Sequence, residues 1–316
     1  MIGGIFSRKG FADGWTALRF VNPRGVQLVQ VTGLATGGRP VVSRCEYVLL
    51  DGDGRSLERV RKEAKLKRWR CTMLLEPGEY QMLMVEAPNV PAAELKSALR
   101  WRVKDLLDYP VEEATLDVLE IPAPGAAASR GKMVYAVVAR SSLLKERMAR
   151  LVSAKVPLRV IDIPEMAQRN LANLYEPASG VALLAFDGSG GLLTVTHGGE
   201  LYLARRIEVT LGQLQDVDEA AAREHFERVT LELQRSLDHV DRQFHFIALA
   251  KLVIGPLPET VGLREHLAAS LGIAVESMNL AALLDLEAVP ELLDAGEQCG
   301  YFHTLGAALR EEARPS

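Results

Sequence analysis

The chain has 316 residues, 48% of them hydrophobic, which is enough to bury a sizeable core and favours about two domains. Charged residues make up 25% and the net charge is −4, so no global field marks a nucleic-acid binder, and proteins or small ligands are the expected partners. No stretch approaches the roughly 20 apolar residues of a membrane span, and residues 1–10 lack the apolar core of a signal peptide, so a cytoplasmic location is expected, with any membrane contact made through another protein.

Residues 15–20, 26–31 and 41–50 are rich in apolar and β-branched types. Asn22-Pro23-Arg24-Gly25 and Gly37-Gly38 separate them, which predicts three antiparallel strands. Ser56 is expected to cap a charged helix reaching about residue 67, and residues 71–75 read as the next strand. After residues 80–85, Pro88-Asn89-Val90-Pro91 stiffens the chain before a helix over about 92–107, with Leu95, Leu99, Val103 and Leu107 in its apolar stripe and Trp101 beside it. Strands at 115–121 and 133–139, joined by a mobile Pro/Gly/Ala loop at 122–130, and a helix over about 141–153 complete an α/β insertion module at about 88–153.

A second unit begins with a strand at 158–163, and Pro164 starts a helix to about residue 174. Residues 181–207 read as three strands, with Asp187-Gly188-Ser189-Gly190-Gly191 at the first turn and Gly198-Gly199 at the second. A long helix over about 218–243, a strand at 251–255, a helix over 261–271, a short strand at 274–276 and C-terminal helical segments follow. Strands followed by helices occur twice, the pattern of a duplicated α/β fold with a cleft between its halves. The first domain is placed at 1–155, completed by a C-terminal helix at 300–316, and the second at 156–299.

The glycine turn after Asp187 has two readings, a phosphate loop whose backbone N–H groups approach an anion, or an ordinary hairpin. Asp162 either orients a water in a cleft or caps the helix that Pro164 begins. Cys45, Cys71 and Cys299 have no Cys-x-x-Cys spacing and read as packing residues in a reducing compartment, and the six histidines show no metal-ligand spacing. The basic run at 55–70, which contains Trp69, reads either as a solvated helix face or as a contact for anionic lipid or an acidic partner.

Several phrases carry a family resemblance in a shared order. They are Leu95 to Leu107 followed by Tyr109-Pro110-Val111-Glu112-Glu113-Ala114, then Val160-Ile161-Asp162-Ile163-Pro164-Glu165-Met166-Ala167, Leu231-Glu232-Leu233-Gln234-Arg235-Ser236, Gly262-Leu263-Arg264-Glu265-His266-Leu267 and Leu305-Gly306-Ala307-Ala308-Leu309-Arg310. With them the chain resembles the PilM family of actin-like ATPases of type IV pilus assembly, and within it the MshI-type proteins of MSHA pilus biogenesis. The resemblance implies a duplicated actin-like (ribonuclease H-like) ATPase fold with a nucleotide and Mg²⁺ held between two hairpins and a glycine-rich adenosine motif.

Measured against that pattern, Asp187, Gly188, Ser189, Gly190 and Gly191 occupy the second hairpin. The first reads Gly14-Trp15-Thr16-Ala17-Leu18-Arg19-Phe20, with no carboxylate for Mg²⁺, which takes hard oxygen ligands. The adenosine motif reads Val253-Ile254-Gly255-Pro256, where proline removes a donor, and Thr210-Leu211-Gly212 has one glycine where the family has a pair. No catalytic or metal-binding residue is therefore assigned, and Asp187 to Gly191 with Gly255 bind a cofactor only if nucleotide binding is retained.

The resemblance implies a scaffold of a pilus assembly machine that binds the cytoplasmic tail of an inner-membrane protein in a groove of the first domain, with Trp101 and Tyr109 as its walls. One alternative is an active ATPase holding ATP and Mg²⁺ in the cleft. The other is an adaptor like the cytoplasmic part of the type II secretion L protein, which normally continues into a membrane span, whereas none is expected after residues 313–316.

Overall fold

One strand order is built twice in this chain. The computed structural model describes residues 12–21, 25–33, 38–51, 54–122, 132–175, 180–258 and 261–311. The expected turn at 22–24, Gly37, most of the loop at 122–130 and the two ends of the chain lie outside them.

Strands β1 (Gly14–Val21), β2 (Gly25–Thr32) and β3 (Val41–Leu49) form a meander, followed by α1 (Arg55–Glu63), β4 (Arg70–Leu74) and β5 (Tyr80–Glu86). Next come α2 (Ala92–Val103), β6 (Ala114–Glu120), β7 (Met133–Arg140), α3 (Ser141–Ser153), β8 (Leu158–Asp162) and α4 (Pro164–Tyr175). A second meander, β9 (Gly180–Asp187), β10 (Gly190–His197) and β11 (Glu200–Ile207), leads to α5 (Leu211–Leu214), α6 (Glu219–Gln243) and β12 (Leu249–Ile254). The chain closes with α7 (Leu263–Ser270), β13 (Ala274–Ser277), α8 (Leu280–Leu283) and α9 (Ala295–Ala308).

The two five-stranded sheets run β3-β2-β1-β4-β8 and β11-β10-β9-β12-β13. In each, three antiparallel strands are extended by two parallel ones. The repeat of meander, crossover and parallel strand is the physical content of the duplication expected from the sequence.

Side-chain alternation on the strands sorts the core into layers. On β1, Ala17 joins the cluster that also holds α4 and α9, while Leu18 and Phe20 join Leu57 and Val60 of α1 and Leu144 and Leu151 of α3. On β9, Val181, Leu183 and Ala185 face the same α4/α9 layer, whereas Ala182, Leu184 and Phe186 face α6 and α7. Helices α4 and α9 therefore lie between the two sheets and touch both. Their crossing is close: a Cβ on Gly306 would lie 2.3 Å from the Ala167 carbonyl oxygen, and Asn170 Nδ2 donates to the Gly306 carbonyl at 2.9 Å.

A third sheet, β5-β7-β6, is antiparallel, so the block expected to begin near residue 88 takes its edge strand from β5. Leu99 and Val103 of α2 cover one face with Val134, Ala136 and Val138. The other face meets the second half through Tyr135, whose hydroxyl donates to the Tyr202 carbonyl and accepts from Ala204 N–H, both at 3.2 Å.

Local chemistry sets several element ends. Asp218 caps α6 by accepting from Ala220 N–H, and Gly198 and Gly199 take φ of 56° and 79° in the tight β10–β11 turn. Two expectations are corrected. Ser56 lies inside α1 and does not cap it; its N–H donates to the Asp51 carboxylate while its hydroxyl accepts from Asp51 N–H, a reciprocal lock set before the helix. The helix expected to reach residue 107 ends as α2 at Val103 and continues as a 3₁₀ turn to Leu106.

Candidate functional site

Alternation along β1 places Arg19 on the face it shares with Ala17, toward the layer between the sheets, and the same parity places Asp187 at the end of β9 on the facing side. The two meet. Arg19 Nη2 donates to Asp187 Oδ2 at 3.2 Å, and the guanidinium grips Glu76, just after β4, with Nε on Oε1 and Nη2 on Oε2 at 3.0 Å. The Arg19 side chain is only 8% exposed, so this two-point grip is shielded from water.

The hairpin beyond Asp187 is held by the same carboxylate. Its Oδ1 accepts from Ser189 N–H at 2.8 Å and from the Ser189 hydroxyl, a side-chain-closed turn. Gly190 has φ of 135°, and a Cβ there would lie 2.8 Å from the Ile207 carbonyl oxygen, so glycine is required where β10 starts against β11. Gly188 faces open space. Cys299 of α9 supports the strand end, its thiol donating to the Phe186 carbonyl at 3.3 Å.

Behind Asp187, α9 presents His303, with Nδ1 3.7 Å from Asp187 Oδ2. His303 Nε2 donates to Gln168 Oε1 at 3.2 Å; the Gln168 amide nitrogen is committed to the Leu183 and Leu192 carbonyls and the Thr194 hydroxyl, which leaves its oxygen as the acceptor. Burial pushes the His303 imidazole down, ahead of the opposing pull of Asp187. For Asp187 burial opposes the charge, but His303, Ser189 and Arg19 outweigh it and hold the carboxyl well below the usual carboxylate range. The permanent cation beside Asp187 is therefore Arg19.

A neighbouring cluster joins the small sheet to both halves. Tyr80 of β5 donates to Glu165 of α4, and Arg206 of β11 donates to the Tyr80 hydroxyl at 2.8 Å and to Glu165 Oε1 at 3.0 Å. A cavity of about 350 Å³ opens beside it, lined by Gly78, Tyr80, Glu165, Ser189 and Arg206. A larger open groove of about 1190 Å³ lies between α6 and α7 and touches neither cluster.

Asp162 neither caps α4 nor stands free toward water. One oxygen accepts from Ile163 N–H at 3.0 Å and the other pairs with Arg310 at 2.8 Å, while the first carbonyl of the helix is that of Ile163. Gly255 continues the ladder, donating to Leu184 at 2.8 Å, and a Cβ there would lie 3.2 Å from both Ala185 and the Phe302 ring. Packing against α9 accounts for that glycine. Trp101 is 68% exposed on α2 with Lys104 Nζ 5.9 Å from its ring, whereas Tyr109 is half-buried beneath the Arg140 guanidinium at 4.0 Å. The two rings have separate cations and lie on the α2 module, apart from Asp187. Glu76, Gln168, Cys299 and His303 complete the Asp187 cluster; Glu76 and Gln168 were not singled out from sequence, Cys299 was read as a packing residue, and His303 as a histidine without metal-ligand spacing. Their signals were an arginine inside an apolar strand and polar residues inside apolar helices.

No protein-family model and no curated protein matches this chain, but solved structures do. A chain of the PilM-PilN type IV pilus biogenesis complex aligns over 94% of this chain and 98% of its own at 18% identity, with a TM-score of 0.69. The cytoplasmic domain of EpsL, an inner-membrane component of the type II secretion system of Vibrio cholerae, aligns over 94% and 96% at 14% identity, with a TM-score of 0.52. A Bacteroides thetaiotaomicron protein described as having an actin-like ATPase fold and unknown function aligns over 92% and 99% at 12% identity and a TM-score of 0.48. The chain has the actin-like ATPase fold, as expected from the sequence.

Proposed function

We propose that this protein is a cytoplasmic scaffold of a type IV pilus assembly machine of the MSHA kind, which holds the cytoplasmic tail of an inner-membrane pilus protein and keeps only a degenerate nucleotide site. The likeness to a chain of the PilM-PilN type IV pilus biogenesis complex supports the partner class. Fold alone does not establish function. The observation that carries the reading is the Arg19 guanidinium between Glu76 and Asp187.

ATP with Mg²⁺ does not fit these residues. A dication takes oxygen ligands with free lone pairs. Arg19 binds both Glu76 oxygens and Asp187 Oδ2, and Ser189 binds Asp187 Oδ1 twice, so the lone pairs that are left belong to carboxylates whose charge Arg19 already offsets. A second cation there would meet a buried positive charge that cannot deprotonate. Phosphoryl transfer depends on a positioned metal and donors, so the arrangement favours a structural over a catalytic cleft.

The test pairs a pulldown with a melting curve. Synthetic N-terminal tails of pilus inner-membrane proteins are expected to bind wild type and Asp187→Asn equally and Trp101→Ala weakly, and saturating ATP with Mg²⁺ is expected to leave the melting temperature unchanged. A nucleotide-dependent rise would restore the ATPase reading, because a ligand that binds only the folded state raises its stability. Preference for the tail of a type II secretion membrane protein would move the assignment to an adaptor, a reading favoured by the likeness to the EpsL cytoplasmic domain.

A further inference from the structure

Helices α3 and α6 pair some of their own charges. On α3, Arg150 pairs with Glu146 at 2.7 Å, and on α6, Arg235 pairs with Glu232 at 3.0 Å and Arg242 with Asp238 at 4.0 Å. The segment formed by α1 and the 3₁₀ turn after it, Leu66–Arg68, does not follow that pattern. Residues 55–70 hold eight basic residues against Glu58 and Glu63, a net of +6 in a chain whose total is −4. Arg59, Lys62, Lys65, Lys67 and Arg68 are all exposed, and among the described residues none of them forms an ion pair, although Glu58 and Glu63 are at helical spacing from Lys62 and Lys67.

The underside of this segment is committed. Leu57, Val60, Ala64 and Leu66 are buried against β1, β2 and β4, so the cations stand on a rigid outer face that has no apolar side chain free to insert elsewhere. Lys65 takes φ of 51° where the helix gives way to the turn, which carries the charged row onward through Lys67 and Arg68.

We propose that this face rests on an anionic phospholipid surface. Long lysine and arginine side chains on one side of a rigid support match a flat layer of negative headgroups, where each contributes by proximity and not by fit. Nothing here is built for a nucleic acid: the one aromatic ring of the run, Trp69, is half-buried, and no amide side chain stands among the five cations to read a base. The described cavities are lined by other residues, so none of them offers an acidic peptide a groove beside the five cations. The contact would orient the scaffold on the membrane that holds its partner, but it does not depend on that partner.

The experiment uses the full chain and vesicles without protein, either phosphatidylcholine alone or with about one-third phosphatidylglycerol. Wild type is expected to co-sediment with the anionic vesicles only, and to dissociate as salt rises. The triple variant Arg59→Gln, Lys62→Gln, Lys67→Gln is expected to lose about a hundredfold in partitioning, roughly fivefold per cation removed. A control triple, Lys96→Gln, Lys132→Gln, Lys145→Gln, changes the net charge equally and is expected to bind as wild type does. Both triples alter exposed positions and should melt with wild type. Undiminished binding by the first triple, an equal loss in the control, binding to phosphatidylcholine alone, or capture of duplex DNA at a salt concentration where vesicles are not bound overturns the proposal. Because no tail is present, these outcomes are independent of the tail pulldown.

Discussion

Arg19 Nη2 lies 3.2 Å from Asp187 Oδ2 and joins the first strand of one sheet to the first strand of the other. With Glu76 gripped by the same guanidinium, one cation holds two carboxylates, one after β4 and one at the end of β9. Removing one partner of a buried pair leaves the others desolvated and uncompensated, a loss of about 3–5 kcal/mol. Arg19→Ala is therefore expected to lower the urea midpoint by that equivalent, while Arg19→Ala with Glu76→Gln and Asp187→Asn recovers most of it. Added Mg²⁺ should raise the melting temperature of Arg19→Ala and leave wild type unchanged. An Arg19→Ala midpoint equal to wild type would remove the clasp from the account of stability.

Acid should weaken this protein in two stages. The folded-state pKa of His303 is depressed below its ordinary 6.5, first by burial and then by Arg19 and Arg206, against the opposing pull of Asp187. The unfolded chain therefore takes up the proton first, and stability present above 6.5 is lost as pH falls through the folded value. The Asp187 carboxyl is depressed below 3.8, so its contribution is lost only in stronger acid. Thermal melts from neutrality to about pH 5 should show a steady decline that His303→Asn flattens. If the variant and wild type decline in parallel, His303 is not the group responsible.

The meanders, the long helix and the duplicated order were legible because hydrophobic period and glycine turns are local signals. The Asp187 cluster was legible only in part. Its hairpin could be read from Asp187 and the following glycines, and the missing carboxylate from the apolar first strand. Arg19 stood out as the charge in that strand, but its partners Glu76 and Asp187 lie 57 and 168 residues away, beyond any local pattern. Gln168 and His303 gain meaning only when α4 and α9 are packed between the sheets. Ser56 failed for the same reason on a smaller scale, because Asp51 offered its N–H a carboxylate before the helix began.

The three cysteines should be chemically silent in the folded protein. Burial pushes the thiols of Cys45 and Cys71 up to about 12 and that of Cys299 to about 11, with Asp187 adding to the last. The thiolate is the reactive species, so at about pH 8 iodoacetamide is expected to label none of them within the time that fully labels the denatured chain. Mass spectrometry of the alkylated peptides reads each site separately. Rapid labelling of Cys299 alone would mean that α9 opens away from Phe186 without global unfolding.

Two glycines separate what the helix crossing requires from what the hairpin tolerates. At Gly306 a methyl group would lie 2.3 Å from the Ala167 carbonyl oxygen and 3.0 Å from Leu171, so α9 cannot keep its distance from α4. Overpacking of this kind typically destabilises by about 1–3 kcal/mol, and the shift would also disturb the Asn170 bond to Gly306 and the seat of His303. At Gly188 a methyl group meets nothing within 4 Å, so Gly188→Ala is expected to unfold at the wild-type urea midpoint. Gly306→Ala should unfold at a clearly lower one and steepen the acid sensitivity attributed to His303. Equal midpoints for the two variants would show that α4 and α9 can separate without cost, and the layer between the sheets would then be looser than these distances imply.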